Sequence, residues 1–420
     1  MNLKQDAVRL IQSSLMAALP DTAVKAALSE AKFESGKLVL VAAGKAGWQM
    51  ASAAVSALDE ARASGAPIPN ISRGVVVTKY GHSQGQIPGL TIYEAGHPVP
   101  DENSYRATQA AIDAVEGLSA DDTVLFLLSG GGSALFEKPL IPAEDLQNLT
   151  QELLACGADI VEMNTVRKRF SAVKGGRFAE TCAPAKVFVI VLSDVLGDRL
   201  DMIASGPAYP DASTAAQARA IVEKYHLTMT PQMKALLQLE TPKDLANVET
   251  HITGSVRQLC ETAAVTAKEL GYVPLVLTDQ LNCVAREAGT FLGNIAKYYA
   301  DTDRPMAVIL GGETVVHLTG HGKGGRNQEL ALAAAEQISG LNALVFSVGS
   351  DGTDGPTDAA GGMVDGTTCQ ALKEMGISIP AVLQDNDAYN ALKQVNGLIM
   401  TGPTGTNVND LSVLLIGTNA

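Results

Sequence analysis

Residues Ser347–Gly362, SVGSDGTDGPTDAAGG, are the stretch around which the rest of the chain is organised. They continue the apolar run ALVF and place Asp351, Asp354 and Asp358 among glycines. Glycine accepts positive φ, so such a loop can bring carboxylates and amide N–H groups close to a ligand. Asp and Gly also serve in plain turns, but their repetition directly after a strand-like run indicates a metal and phosphate site.

The composition is typical of a globular α/β protein. The chain has 420 residues, 46% hydrophobic and 18% charged, with 40 glycines, which is long enough for two or more domains. No apolar run reaches the roughly 18 residues of a membrane span. The N-terminal stretch MNLKQDAVRLIQSSLMAAL has apolar residues at helical spacing and lacks the apolar core of a signal peptide. We therefore expect a first helix there and a cytoplasmic location.

Charge and cysteine usage narrow the classes of partner. A formal net charge of −14 argues against nucleic acid and anionic membrane, because both require basic patches. A small anionic substrate remains compatible if basic residues gather locally. The cysteines are odd in number and have no CxxC spacing, which indicates free thiols in a reducing cytosol and argues against zinc or disulfides. They are Cys156, Cys182, Cys260, Cys283 and Cys369.

Short apolar runs rich in β-formers alternate with Ala-rich segments of helical period. The runs are LVLVAA (38–43), GVVV (74–77), TIYEAG (91–96), TVLFLL (123–128), KVFVIVL (186–192), VPLVLT (273–278), AVIL (307–310), VVHLTG (315–320), ALVFSVG (343–349) and GLIM (397–400). This alternation predicts an α/β fold with mostly parallel sheets sandwiched by helices. Glycine-rich and polar loops follow the strands, at the sheet edge that binds ligands in open α/β proteins.

A helix-rich segment with three prolines, at about residues 208–255, indicates a connection between two α/β units. We place the boundary near residue 235. Residues 1–235 are then an N-terminal Rossmann-like α/β domain, and residues 236–420 are a C-terminal α/β domain.

Two glycine-rich loops of the N-terminal half are candidate phosphate sites. VAAGKAGWQMA places Lys45 between two glycines at a strand-to-helix junction, where amides and the ammonium can hold an anion. LLSGGGSALF follows a buried run, and its successive glycines can expose several N–H groups. Its polar segment is Ser129, Gly130, Gly131, Gly132 and Ser133. An ordinary turn and a flexible hinge are the alternatives.

The chain lacks the common nucleotide fingerprints. It has no Walker A loop, and GxGxxG does not follow the first strand. The next strand ends at Lys79, where an NAD enzyme places an acid on the ribose. A lysine at this point would tolerate only the phosphorylated nicotinamide cofactor.

Three further segments carry charged candidates. NTVRKRFSAVKGGRFA (164–179) is basic and, as one helix, would either steer an anion or form a solvated face. SDVLGD contributes Asp194 to an acidic loop after a strand. GGETVVHLTGHGKGGRNQELALA offers Glu313, and also Arg326, which opens a helix where its guanidinium can bind a carboxylate through two parallel hydrogen bonds.

Taken together, GKAG, GHPVPDENS, LSGGGSAL, NTVRKRFSAVKGGR, LSDVLGD with IASGP, GGRNQELAL and GSDGTDGPTDAAGG resemble the glycerate 2-kinase family, whose C-terminal half is the MOFRL domain. They run in family order from about residue 40 to 410. The resemblance implies two α/β domains with the active site in the cleft between them. It also implies ATP- and Mg²⁺-dependent phosphorylation of the 2-hydroxyl of D-glycerate, although relatives also carry the label hydroxypyruvate reductase.

The resemblance places the family's catalytic lysine and arginine at Lys45 and Arg326. We expect the SGGGS loop to bind phosphate, Lys45 to contact the transferred group and Arg326 to bind the glycerate carboxylate. Lys79 is a further cofactor-binding candidate. The loops themselves suggest Asp194, Asp351 and Glu313 as Mg²⁺ ligands, directly or through water, the first two also being catalytic candidates.

Two other functions stay open. One is an NADPH-dependent hydroxypyruvate reductase, which would consume the nicotinamide without ATP. The other is a non-catalytic sensor of sugar acids, which would bind without turnover. The sequence names no general base, and it is compatible with a homodimer without fixing the oligomeric state.

Overall fold

The computed structural model describes residues 2–33, 35–193, 201–402 and 404–418. The chain divides into an N-terminal unit, Ala23–Thr253, and a C-terminal unit that combines Met1–Thr22 with Gly254–Ala420. This division lies later in the chain than residue 235, and it assigns the first helix to the C-terminal unit. Each unit contains one six-stranded sheet.

One strand pairing and one helix contact account for this division. The strand Val248–Ile252 pairs in parallel with Lys186–Val191, so it belongs to the N-terminal sheet although it lies beyond residue 235. The helix Leu3–Ala17 packs on the helix Val256–Glu269, within the C-terminal unit. Contacts between residues far apart in sequence therefore decide where each unit ends.

The N-terminal sheet is parallel between all neighbouring strands. Its strands are β1 (Leu38–Ala43), β2 (Ile71–Lys79), β3 (Thr91–Ala95), β4 (Thr123–Leu128), β5 (Lys186–Val191) and β6 (Val248–Ile252), in the order β3-β2-β1-β4-β5-β6. β1 and β4 are buried along their whole length, as continuous apolar runs in a parallel sheet require. The strand order reverses between them, which is where a doubly wound sheet opens a ligand crevice.

One helix precedes β1, and further helices and short 3-10 turns connect the strands. They are α2 (Pro20–Glu30), α3 (Gly47–Ala63), α4 (Glu102–Val115), α5 (Gly132–Leu135), α6 (Ala143–Ala155), α7 (Ile160–Arg167), α8 (Arg177–Cys182), α9 (Ala215–Lys224) and α10 (Pro231–Leu236), with 3-10 turns at Lys168–Phe170 and Ile203–Ser205. Asp101 caps α4 by accepting from the Ser104 N–H at 3.0 Å.

The basic stretch 164–179 is mostly buried, and it does not form the single helix considered for it. Gly175 and Gly176 adopt positive φ and separate α7 from α8. Arg169 is fully buried and donates to the Ser213 carbonyl at 2.7 Å. Arg177 donates to three backbone carbonyl oxygens. Internal acceptors therefore engage both cations, and these contacts stabilise the fold.

Lys174, from the same stretch, forms a buried ion pair beneath the loop that follows β4. Its Nζ lies 3.2 Å from Glu137 Oε2, and the two side chains are 0% and 1% exposed. The Nζ also donates to the carbonyl oxygens of Ser133 at 2.8 Å and Phe136 at 3.2 Å. The Phe136 ring packs edge-on against Phe178 at 5.1 Å. Buried contacts of Lys174 and Phe136 therefore hold the end of this loop in place.

The C-terminal sheet mixes both strand directions. Its strands are β7 (Val273–Leu281), β8 (Met306–Gly312), β9 (Ala343–Gly349), β10 (Gly361–Asp365), β11 (Leu398–Ile399) and β12 (Asp410–Ile416), in the order β11-β10-β9-β12-β8-β7. β7 and β8 are parallel, and the other neighbours are antiparallel. Among the described strands, six of the ten pairings are parallel, so the α/β prediction is confirmed and the antiparallel pairs collect in this unit.

One buried helix dominates the C-terminal unit. The helices are α1 (Leu3–Ala17), α11 (Val256–Glu269), α12 (Ala285–Tyr298), α13 (Arg326–Gln337), α14 (Thr368–Glu374), α15 (Ile379–Gln384) and α16 (Ala388–Gln394). α13 is almost entirely buried and packs on α12, β9 and β10. Among the residues that the structure describes, no helix has both the length and the apolar character to cross a membrane.

One strand prediction in this unit is wrong, and one strand was not predicted. The segment 315–320 is a loop in which only Val315 makes an isolated bridge, and the N–H groups of Thr319 and Gly320 donate to the side chain of Asn386. A side chain thus satisfies backbone groups that a strand would pair with a neighbour. Conversely, β12 is central to the sheet, yet the sequence analysis assigned no strand there.

We expect Lys174→Met to lower the free energy of unfolding by about 3–5 kcal/mol, because Glu137 would stay buried without its counter-ion. Adding Glu137→Met should recover part of that loss, since no buried charge then remains. Urea unfolding followed by the fluorescence of Trp48, the chain's only tryptophan, measures both variants. Lys25→Met, in an exposed pair with Glu60, is the control and should cost less than about 1 kcal/mol. Equal losses in the single and double variants would contradict this interpretation.

Candidate active site

The carboxyl edge of the N-terminal sheet carries the predicted phosphate contacts. Lys45 lies two residues after β1, Lys79 ends β2, and the SGGGS loop, Ser129–Ser133, follows β4. β1 pairs in parallel with both β2 and β4, so the three strand ends are adjacent. The structure therefore brings these residues together at the point where the strand order reverses.

Backbone hydrogen bonds fasten the Lys45 loop to the SGGGS loop. The Lys45 N–H donates to the Gly130 carbonyl at 2.8 Å, and the Ala46 N–H donates to Ser129 Oγ at 3.0 Å. Gly44 has a φ of 129°, and a Cβ there would lie 2.1 Å from Ser129 Oγ. Only glycine fits this approach, which explains the first glycine of GKAG.

Four successive N–H groups of the SGGGS loop have no hydrogen-bond partner within the described part of the chain. They belong to Gly130, Gly131, Gly132 and Ser133. Buried backbone N–H groups almost always have a partner, and the first and third of these glycines are buried. The Lys45 ammonium likewise makes no hydrogen bond or ion pair with a described residue. Successive N–H groups beside an ammonium can bind a phosphate group.

A hydrogen-bond chain holds the far end of the loop. Ser133 Oγ lies 3.1 Å from Ser205 Oγ, and Ser205 Oγ donates to Asn164 Oδ1 at 3.0 Å. Ala204 and Ser205 have φ values of 50° and 61°, which is strained for residues other than glycine. Such strain persists where surrounding contacts enforce it and is frequent at functional sites.

Asp194 lies outside the described residues, together with the rest of its loop through residue 200. Its assignment as a catalytic residue and metal ligand therefore stays a prediction.

In the C-terminal unit, Arg326 opens α13 and binds two carboxylates. Its Nε donates to Asp410 Oδ2 at 2.6 Å, and its Nη2 donates to Asp410 Oδ1 at 3.0 Å. Its Nη1 donates to Glu313 Oε1 at 2.9 Å. Burial alone would lower the pKa of Arg326, but the hydrogen bonds and charge of Asp410 raise it, so the guanidinium stays charged. One edge of the guanidinium is committed to Asp410, and a ligand carboxylate would have to take the place of Glu313.

Asp354 orients the first turn of the helix that carries Arg326. Its Oδ1 accepts from the Asn327 N–H at 3.1 Å, and its Oδ2 accepts from the Gln328 N–H at 2.9 Å. Gly325, the residue at the N-cap, has no side chain for this purpose. Burial raises the pKa of Asp354 to about 6, and the two amide hydrogen bonds oppose that rise. Asp354, in the glycine-rich loop, thus supplies the hydrogen-bond acceptors that the N-terminus of α13 lacks.

The other predicted metal ligands are Asp351 and Glu313. Asp351 Oδ1 accepts from the Thr353 N–H at 2.9 Å, and its second oxygen has no partner among the described residues. Glu313 is occupied by Arg326. No group of three His, Cys, Asp or Glu side chains among the described residues is arranged to hold a metal. Mg²⁺ usually keeps water and substrate phosphates as ligands and takes one or two protein carboxylates. Asp351 thus keeps one carboxylate oxygen available, and its role as an Mg²⁺ ligand stays a prediction.

Sequence reasoning overlooked two residues of this geometry. Asp410 escaped notice because its strand was not assigned, although the apolar run in DLSVLLI (410–416) was a usable signal. The other is His97, whose ring lies against Gly131 of the SGGGS loop; it belongs to GHPVPDENS, which supported the family resemblance but received no role. Asp354 was noted only as a loop aspartate, because its contact with α13 depends on the fold.

Two family models match the chain. The first, a domain of unknown function (DUF4147), matches residues 6–238, which is more than half of the chain. The second, the MOFRL family, matches residues 306–410.

Similar proteins match over nearly the whole length. A D-glycerate 2-kinase of Thermotoga maritima is 52% identical over 99% of both chains. A putative hydroxypyruvate reductase of Agrobacterium vitis is 39% identical over 97% of this chain and 93% of that one. A crystal structure of glycerate kinase from Thermotoga maritima has a TM-score of 0.94 at 52% identity and covers 99% of each chain. The chain therefore belongs to the glycerate 2-kinase family with a C-terminal MOFRL domain, as its motifs predicted.

Proposed function

We propose that this protein is an ATP-dependent kinase that phosphorylates the 2-hydroxyl of D-glycerate to give 2-phosphoglycerate and ADP, with Mg²⁺. The observation that carries the proposal is the row of unpartnered N–H groups in the SGGGS loop beside the side chain of Lys45. That arrangement suits a polyphosphate, and it lies where a doubly wound sheet binds nucleotides. Membership of the glycerate 2-kinase family supports glycerate as the acceptor.

The residues at the N-terminal sheet edge suit the phosphate donor. Phosphoryl transfer depends on positioning and charge neutralisation more than on covalent chemistry. The N–H groups of the SGGGS loop bind phosphate oxygens, Lys45 contacts the transferred group and Lys79 adds a second ammonium. Bound Mg²⁺ would neutralise charge on the phosphates, and we assign Asp351 of the C-terminal unit as one of its ligands, because one of its carboxylate oxygens has no partner among the described residues. Asp194 remains a proposed second ligand.

Arg326 suits the acceptor. Asp410 holds one edge of its guanidinium and so fixes the plane of the group. The glycerate carboxylate takes the edge now paired with Glu313, whose side chain is 48% exposed. We assign the released Glu313 carboxylate to Mg²⁺, directly or through water. The two roles are compatible because the departure of Glu313 frees Nη1 for the substrate.

An NADPH-dependent hydroxypyruvate reductase is the second candidate. Lys79 at the end of β2 suits a 2′-phosphate, and a relative from Agrobacterium vitis bears that name. Against it, the loop after β1 is GKAG and lacks the glycine spacing of a dinucleotide fingerprint. We therefore rank the kinase first.

The decisive assay supplies purified protein with ATP, Mg²⁺ and D-glycerate. We expect ADP together with 2-phosphoglycerate, which enolase consumes directly without a mutase. A product phosphorylated only at the 3-position would overturn the regiochemistry. Loss of NADPH absorbance with hydroxypyruvate, without ATP use, would favour the reductase. Ligand-induced stabilisation without any turnover would point to the sensor.

We expect Arg326→Lys to cost on the order of 2 kcal/mol in kcat/KM for glycerate, because lysine cannot make the paired hydrogen bonds of a guanidinium. It should also lower the unfolding temperature, since Asp410 would lose its bidentate partner. Calorimetric affinity for ATP alone should change little. Arg286→Lys is the matched control: it weakens a pair with Glu329 in the same unit and should leave glycerate kinetics intact. Unchanged kinetics in the first variant would remove Arg326 from the site.

We expect kcat/KM for glycerate to fall as the pH drops through about 6, the raised pKa of Asp354. Protonation of this carboxyl weakens its hydrogen bonds from the first turn of α13 and loosens Arg326. Asp354→Asn should therefore be poorly active at neutral pH and flat across this range. Asp358→Asn, which removes an exposed carboxylate bound to Tyr389, should keep the acidic limb. An acidic limb that persists in Asp354→Asn would contradict the assignment.

A further inference from the structure

His97 extends the proposed phosphate-binding edge of the N-terminal sheet to the loop that follows a fourth strand, β3. It lies two residues after β3, whose last residue pairs with Lys79 of β2. A Cβ placed on Gly131 would lie 3.1 Å from His97 Cδ2 and 3.3 Å from His97 Nε2. The same Cβ would lie 3.1 Å from Lys45 Cγ. The imidazole and the lysine side chain therefore converge on the middle glycine of the SGGGS loop.

No contact of the His97 side chain explains its position as a requirement of the fold. Its half-buried imidazole makes no hydrogen bond with any described residue, whereas its polar neighbours do. His82 Nδ1 lies 3.1 Å from the Lys45 carbonyl oxygen, and Asp101 accepts from the Tyr80 hydroxyl at 2.7 Å. An unpartnered imidazole against a loop of unpartnered N–H groups suits a ligand that accepts hydrogen bonds.

The charges around His97 favour an anion. The groups that face it are Lys45 after β1, Lys79 at the end of β2, and His82 on the turn that follows β2. The nearby Asp101 is already engaged by the α4 cap and Tyr80. Burial first, and then these cations, lower the pKa of His97, so its imidazole is neutral in the free protein at neutral pH. A bound polyphosphate would reverse the local charge and favour the imidazolium.

We propose that His97 is a binding residue of the nucleotide site and donates a hydrogen bond from Nε2 to a phosphate oxygen beside Lys45. This inference rests on the proposed function, since it takes the SGGGS loop as the phosphate site. It adds a consequence: the nucleotide binds with uptake of a proton by this imidazole, and its affinity falls as the pH rises.

Two substitutions separate the hydrogen bond from the proton. His97→Ala removes both, and we expect the KM for ATP to rise about tenfold or more, as for the loss of a hydrogen bond to a charged group. His97→Gln offers an amide donor near the position of Nε2 but cannot titrate, so it should keep more affinity than His97→Ala. The KM for glycerate should change little in either. His226→Asn is the control, because this exposed histidine has a φ of 51° that asparagine tolerates.

Proton uptake on nucleotide binding distinguishes a binding role of His97 from a purely structural role, which would not change it. Binding of Mg·ATP is measured by calorimetry without glycerate, at about pH 7.5, in two buffers that differ in ionisation enthalpy. The wild type should take up a fraction of a proton that His97→Gln lacks and His226→Asn retains. From about pH 6 to 9 the affinity of the wild type should fall more steeply than that of His97→Gln.

Other outcomes overturn the proposal in distinct ways. Unchanged ATP affinity in His97→Ala removes His97 from the nucleotide site. A raised KM for glycerate with unchanged ATP binding assigns it to the acceptor instead. Equal proton uptake in the wild type and His97→Gln refutes the titration. If the wild type binds Mg·ATP but phosphorylates no glycerate, the proposed function fails while the binding test of His97 still decides. If it binds no Mg·ATP, both fail.

Discussion

The close contact between the end of β1 and the end of β4 is the constraint on which the N-terminal site depends. Both strands are fully buried and paired, so the loops that leave them have almost no freedom at their start. Gly44 approaches Ser129 at a distance that admits no side chain, and two hydrogen bonds lock the loops together. The result is a row of four N–H groups with no partner in the described part of the chain. Two of them belong to buried glycines, and buried N–H groups almost always have a hydrogen-bond partner.

In the C-terminal unit, the constraint on the candidate site is a buried carboxylate. Asp410 begins β12 and is held between the ends of β8 and β9, where its charge needs a cation. Arg326 supplies that cation through two hydrogen bonds, and Asp354 anchors the helix from which it projects. The same arginine therefore stabilises the fold. In the proposed function it also binds the glycerate carboxylate, with the plane of its guanidinium fixed by Asp410.

Burial decides which basic residues of this acidic chain are available to a ligand. The conspicuous basic motif contributes Arg169 and Lys174, both buried and committed to internal partners. Lys45 and Lys79 lie singly at strand ends, and their ammonium groups make no hydrogen bond or ion pair with the described residues. A bound anion is stabilised more by such unpaired cations, because the charge of a buried, paired cation is already neutralised by its partner in the protein.

The sequence by itself determined the α/β class, most strands, the glycine-rich loops and the family, because hydrophobic runs and turn residues act over short stretches of chain. It did not determine that β12 lies inside the second sheet, that the first helix packs in the C-terminal unit, or that Asp354 caps α13. Nor did it pair Arg326 with Asp410, which lies 84 residues away. These features depend on which distant groups are desolvated together, and only the tertiary structure decides where a buried charge finds its partner.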